Sequence, residues 1–283
     1  MPVFYVAFVG CGRNRYFSAM FHKPSHTLLQ GLVVCYWFID ADAIPYNTKM
    51  LPDGFSDIMI NLGEPYSLVR HDGNTELIEG SVMFGQRTKP LLLQQPGAVR
   101  MIGIRLMPGS EYLFSGMKAS DLVNSFVPVT DINGNIADAL QALSNTTNDA
   151  DKIKYTEALL LALLRTDAGA EKALQATRII MAAKGDVVVE DVALKVGVSY
   201  KQLERLFAKH VGISPKAFAR VHRFYSAFAQ VRALQKANWM QVLHNCGYYD
   251  QAHFIKDFSY FSGITPTKQF TAKDTIDDFF GFA

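Results

Sequence analysis

Up to about residue 115 the apolar positions come in short runs broken by Gly, Pro, Asp and Asn, among them Leu32–Ile39, Asp57–Leu62, Leu91–Gln95 and Val99–Leu106. Pro52-Asp53-Gly54 and Pro108-Gly109 supply turn chemistry between such runs. Runs of this length, bounded this way, predict strands of an antiparallel sheet or barrel. From about Lys118 the period lengthens. Ile136–Leu143 and Ile153–Leu164 carry apolar residues at helical spacing, with the polar stretch Ser144–Asp149 between them. Thr166–Gly169 reads as a linker, and the remainder reads as helix. The expected class is α+β. A β-rich barrel or jelly-roll-like domain over 1–165, helical from about 118, precedes an all-helical domain over 170–273.

The helical third contains an internal repeat. Val192–Ser199 aligns with Val242–Tyr249, glycine on glycine, at an offset of 50. Leu203 and Phe207 then fall on Phe254 and Phe258 at an offset of 51, and Gly212-Ile213-Ser214-Pro215 falls on Gly263-Ile264-Thr265-Pro266. Each copy reads as a short helix, a tight turn at glycine, a second helix and a stop, spanning about 187–212 and 238–263. Gly197 and Gly247 permit the positive φ of a sharp interhelical turn. Ser199 suits an N-cap, with Gln202 three residues on as its capping-box partner. Leu203, Leu206 and Phe207 form one apolar face, which turns Lys201, Glu204, Arg205 and Lys209 outward. In the second copy Phe254, Phe258 and Phe261 face inward, Asp250 suits the cap, and Gln251, His253, Ile255 and Lys256 face outward. A small trihelical unit with long polar side chains on its last helix is the DNA-reading geometry of a helix-turn-helix. Between the copies, Ser214-Pro215 starts a helix that runs to about Lys236. Some 20 residues span about 30 Å, near the ~34 Å between major-groove segments on one face of B-DNA. Arg220, Arg223 and Arg232 on this helix face either phosphates or water.

Charge adds to this picture. Residues 1–171 hold 13 Lys and Arg against 17 Asp and Glu, whereas residues 172–273 hold 15 against 6. A basic block of that kind attracts a polyanion by counterion release. Cys11, Cys35 and Cys246 are scattered, which suits a reducing compartment, the cytoplasm by default, and no cysteine-based metal site. Val3–Val9 is about half the length of a membrane span and follows no basic segment, so neither a membrane helix nor a leader is expected.

Gly247-Tyr248-Tyr249-Asp250-Gln251-Ala252-His253-Phe254-Ile255-Lys256-Asp257-Phe258, with Gly263-Ile264-Thr265-Pro266, resembles the most diagnostic stretch of the AraC/XylS family of transcriptional regulators. The first copy, from Ser199 through Gln202-Leu203-Glu204-Arg205-Leu206-Phe207 to Ser214-Pro215-Lys216, is similar to the same family. Tyr249 stands where the family usually has a small polar residue. Trp37, Pro52-Asp53-Gly54, Asn61-Leu62-Gly63, Gly85-Gln86-Arg87-Thr88 and Gly103-Ile104-Arg105 resemble an uncharacterised sensor-like domain that precedes this module in some members. The resemblance implies a sequence-specific regulator that binds double-stranded promoter or operator DNA. Its DNA-binding residues would be Ser199, Lys201, Gln202, Glu204, Arg205, Lys209, Gln251, His253, Ile255 and Lys256. Arg can grip guanine and Gln adenine. Glu204 either accepts from cytosine or pairs with Lys201 or Lys209. A small-molecule effector, a homodimer and contact with RNA polymerase are compatible with that role.

Trp37, Asp53, Asp57 and Arg105 are the candidates for an N-terminal ligand pocket. An arginine in an apolar strand needs a partner if buried, and either an Asp or a ligand anion would serve. Gly10-Cys11-Gly12 lacks the third glycine of a dinucleotide fingerprint, and residues 1–18 read as an extension. His22, His26 and His71 could suggest a metal site, but His22 and His26 lack a nearby carboxylate in metal-ligand arrangement, so neither metal nor cofactor is expected. The rival readings are a ligand-binding barrel protein, or an enzyme, whose basic C-terminal domain serves other contacts. No catalytic motif supports the enzyme.

Overall fold

The computed structural model describes residues 20–41, 46–134, 137–233 and 243–271. The Gly10-Cys11-Gly12 segment and Lys236 lie outside them. Two antiparallel sheets form the N-terminal part. One has the order β1 (Met20–His22), β2 (Val33–Ala41), β9 (Val99–Leu106), β4 (Ser56–Asn61), β7 (Val82–Phe84), β10 (Phe126–Pro128). The other has the order β3 (Tyr46–Met50), β8 (Leu91–Gln95), β5 (Tyr66–Arg70), β6 (Thr75–Ile78). Among the described residues no strand pairing joins the sheets, so the domain is a sandwich and not a closed barrel.

Strand β9 explains the layering. Every residue from Met101 to Leu106 is buried, because both faces of its sheet are covered. Trp37, Met59 and Met101 pack toward the four-stranded sheet. Tyr36, Ile58, Ile102 and Ile104 pack on the other side, against Leu159, Leu160 and Leu163. The latter belong to α4 (Asp149–Leu163), which follows α1 (Glu111–Ser115), α2 (Val129–Ile132) and α3 (Ala137–Ser144). Each such aliphatic side chain contributes roughly 1.5–3 kcal/mol on full burial. Trp37 is paired across the strands with Gly103. A Cβ at Gly103 would lie 1.7 Å from the indole, so the ring lies flat only because position 103 has no side chain.

The C-terminal part comprises α5 (Ala170–Ala182), α6 (Val189–Lys195), α7 (Tyr200–His210), α8 (Pro215–Ala233), α9 (Gln251–Ser262) and α10 (Pro266–Thr271). Residues 243–245 are also helical. One apolar cluster runs from Ala176 through Phe207, Phe218 and Phe224 to Phe258 and Phe261. The two repeat copies therefore share a core. The turn at Gly247 meets the segment between α5 and α6 directly, since a Cβ there would lie 2.7 Å from the Asp186 carboxyl.

Candidate nucleic-acid interface

In the first copy, α6 and α7 meet at Gly197, whose φ is +68°. Ser199 caps α7 through the backbone N–H of Gln202, and the Gln202 side chain accepts from the N–H of Ser199, so the expected capping box is formed. Leu203 and Phe207 are buried, whereas Lys201, Gln202, Glu204 and Arg205 are exposed along the leading face. In the second copy Gly247 has φ +72°, and the Asp250 carboxylate accepts from the His253 N–H at 2.7 Å to cap α9. Gln251 and Lys256 are exposed, and His253 and Ile255 are half-buried. The His253 ring stands edge-on to Tyr248, 5.0 Å between centroids.

The copies differ by one residue, and the structure locates it. Gly197-Val198 leads to the cap Ser199, but Gly247-Tyr248-Tyr249 leads to the cap Asp250. Tyr248 is 2% exposed and packs inward as Val198 does, which makes Tyr249, 86% exposed, the extra residue. It stands beside the start of α9 as a further candidate contact. Its only sequence signal was its departure from the family pattern.

Several polar side chains are engaged within the protein. Lys209 is half-buried, paired with Asp167, and lies over the Tyr112 ring at 4.2 Å. The ends of Ser199 and Gln202 that form the capping box are held by each other. Glu204 neighbours Tyr200, where its charge and hydrogen bond raise the phenol pKa. Arg220 and Arg223, expected to face either phosphates or water, also have partners in the protein. Arg220 grips the buried Asp257 at 2.7 Å, and Arg223 donates to Gly185 O at 3.1 Å. Both brace α8 against its neighbours, because a half-buried guanidinium finds better partners there than in water. Helix α8 is described for 19 residues, about 28 Å.

The N-terminal part contacts this unit at several points. Leu51, just after β3, joins the C-terminal core. Gly54, at φ +84°, leaves room for His222 of α8, and Phe55 meets the same imidazole edge-on at 6.0 Å. Thr177 of α5 donates to Pro108 O at 2.7 Å. Tyr112 supports the end of α7, and the Lys89 ammonium lies 3.7 Å from the ring centre of Tyr260 on α9.

The candidate pocket residues assemble at this seam. Arg105 contacts Asp57 at 2.9 Å and Asp53 at 2.8 Å, all three fully or nearly fully buried. Arg87 adds contacts of 3.5 Å and 3.7 Å to the same carboxylates. Burial works against the Arg105 charge, but the two aspartates outweigh it and raise its pKa. The partner that Arg105 needed is thus supplied by the chain. Trp37 and Asp57 line a void between the sheets of about 20 Å³, room for about one water. Glu111 was not foreseen. It is buried beside this cluster, accepting from Ser56, Gln86 and Gly109, and burial lifts its pKa to about 7.

Residues 192–271 match a family model described as a helix-turn-helix domain, and residues 21–128 match one described as a domain of unknown function. No curated protein sequence matches the chain. Among solved structures, ToxT from Vibrio cholerae is similar at 9% identity and TM-score 0.46, covering 81% of this chain and 94% of that one. ToxT from the same organism bound to an unsaturated fatty acid is similar at 11% identity and TM-score 0.42, covering 88% and 97%. The AraC-like transcriptional activator CuxR is similar at 17% identity and TM-score 0.31, covering 76% and 82%.

Proposed function

We propose that the protein is a sequence-specific regulator of transcription of the AraC type, in line with the helix-turn-helix domain model that residues 192–271 match. It would bind promoter DNA with α7 and α9. The observation that carries this reading is the pair of capped helices on one shared core, with Lys201 and Arg205 exposed on one and Gln251 and Lys256 on the other. Such side chains divide naturally into base readers and phosphate contacts. The unit runs over about 170–273 and the preceding domain over 1–165, with the linker between.

The N-terminal domain controls this unit through the seam at Leu51–Phe55. A signal received there changes the population of arrangements in which both recognition helices reach DNA. A small molecule is the natural signal, the cytoplasm is the natural compartment, and no chemical step is needed. No helix among the described residues is long and apolar enough to cross a membrane.

The test is fluorescence anisotropy of the full-length chain with its own promoter DNA, titrated at several salt concentrations. Specific binding that weakens steeply with salt is expected. Equal affinity for promoter and scrambled DNA at every salt concentration would overturn the reading.

A further inference from the structure

We propose that a groove on the N-terminal domain, beside α9, binds a small organic anion. The groove has a volume of about 160 Å³, comparable to a cavity of about 150 Å³ that admits benzene. Its lining combines the polar Arg87, Arg70, Lys89, Asp72 and Ser125 with the rings of Phe84 and Phe126.

Arg87 makes the groove a site. The side chain is 5% exposed, and its Nη2 faces Asp53 and Asp57. Its Nε and Nη1 are buried and have no hydrogen-bond partner. Two buried guanidinium donors without acceptors are costly, and an oxygen of a carboxylate or phosphate would satisfy either of them with a charge-assisted hydrogen bond. The nearby carboxylates do not meet this need. Glu76 holds Arg70 at 3.0 Å, and Asp72 is exposed and bonded to Asn74.

Local backbone geometry holds the groove open. Asn124 has φ +56°, and its side-chain oxygen accepts from the N–H groups of Thr88 and Lys89. Its carbonyl accepts from Arg70 at 2.6 Å. The segment carrying Lys89 is therefore fixed against the one carrying Ser125. An oxygen of the anion accepts from Arg87, with the Lys89 ammonium in reach. Its apolar body lies on Phe84 and Phe126. Because Lys89 also lies on Tyr260 of α9, an occupant competes for a cation that contacts the second recognition helix. That consequence, unlike the site itself, rests on the proposed function.

Isothermal titration of the full-length protein with inorganic phosphate, acetate, butyrate and phenylacetate, at matched ionic strength, tests the site. Saturable binding of at least one anion below about 10 mM is expected, weakened about tenfold or more by Arg87→Gln and by a smaller factor by Lys89→Gln. Tighter binding of butyrate and phenylacetate than of acetate assigns a carboxylate with an apolar body. Preference for phosphate assigns a phosphate ester. Arg87 also belongs to the buried ion cluster, so circular dichroism checks that its variant folds. Lys89→Gln, at the domain edge, decides alone if it does not. No saturable binding of any of the four, or binding that both folded variants leave unchanged, overturns the proposal. Promoter binding measured without added anion stands or falls separately.

Discussion

Gly54 and His222 meet across the seam between the sandwich and the helical unit, and a Cβ at position 54 would lie 2.3 Å from the imidazole Nε2. The glycine also adopts φ +84°, so it answers a steric demand and a backbone demand at once. Burial lowers the His222 pKa to about 4, which leaves a neutral ring between Phe55 and Phe218.

Gly54→Ala is therefore expected to destabilise the seam by about 2–4 kcal/mol, combining overpacking with left-handed backbone strain. Limited proteolysis of the linker around Thr166–Gly169 should accelerate, and the thermal transition should broaden or split. A variant as resistant and cooperative as the parent would show that the turn is not clamped.

The ion cluster gives a second expectation. Asp57→Asn leaves Arg105 with one fewer buried charge partner, at an expected cost of about 3–5 kcal/mol. Arg87→Met and Arg105→Met combined with Asp53→Asn and Asp57→Asn should recover much of that loss, because no buried charge is then left unpaired. Denaturant titration of the single and quadruple variants compares them. Equal stability of the single variant and the parent would show that the pair contributes nothing.

Glu111 and His222 give the pH dependence opposite signs. The folded pKa of Glu111 is raised from 4.5 to about 7. Its contribution to stability is complete below 4.5 and is lost as pH rises through 7. The loss amounts to as much as about 3 kcal/mol. The folded pKa of His222 is lowered from 6.5 to about 4, so its contribution is complete above 6.5 and is lost as pH falls through 4. Urea unfolding from pH 4 to 8 should show both limbs. Glu111→Gln should flatten the high-pH limb alone, and an unchanged limb in that variant would assign it to another group.

On DNA, Arg205→Ala and Gln251→Ala should each cost about 1–3 kcal/mol of specific binding and relax preference at one base position. Lys209→Ala should change affinity much less, because its ammonium is engaged by Asp167 and Tyr112. Tyr249→Ala probes the inserted residue, with a loss of up to about 1 kcal/mol if its ring rests on the DNA backbone. Competition binding against single-base variants of the operator separates base reading from phosphate contact.

Particular elements show how much was legible beforehand. The strands at Leu91–Gln95 and Val99–Leu106 appear where their apolar runs lie. The short strands Tyr66–Arg70, Thr75–Ile78 and Val82–Phe84 did not stand out. Thr75–Leu77 is solvent-exposed, so its polar residues carry no alternation to read. The barrel expectation gave way to a sandwich because closure depends on which strand edges meet, and no local pattern encodes that.

The sequence by itself determined the DNA-binding unit: the glycine turns, the Ser199 and Asp250 caps, the buried Phe254–Phe258 face and the long helix from Pro215. All of these are set by interactions within a few residues, where spacing and side-chain chemistry suffice. Only the tertiary structure decided that Asp53, Asp57, Arg87 and Arg105 share one buried cluster, that Leu51 enters the helical core and that the half-buried Lys209 and Arg220 pair with Asp167 and Asp257. Those pairings join residues far apart in the chain, and their partners follow from how the sandwich packs on α5, α7 and α8.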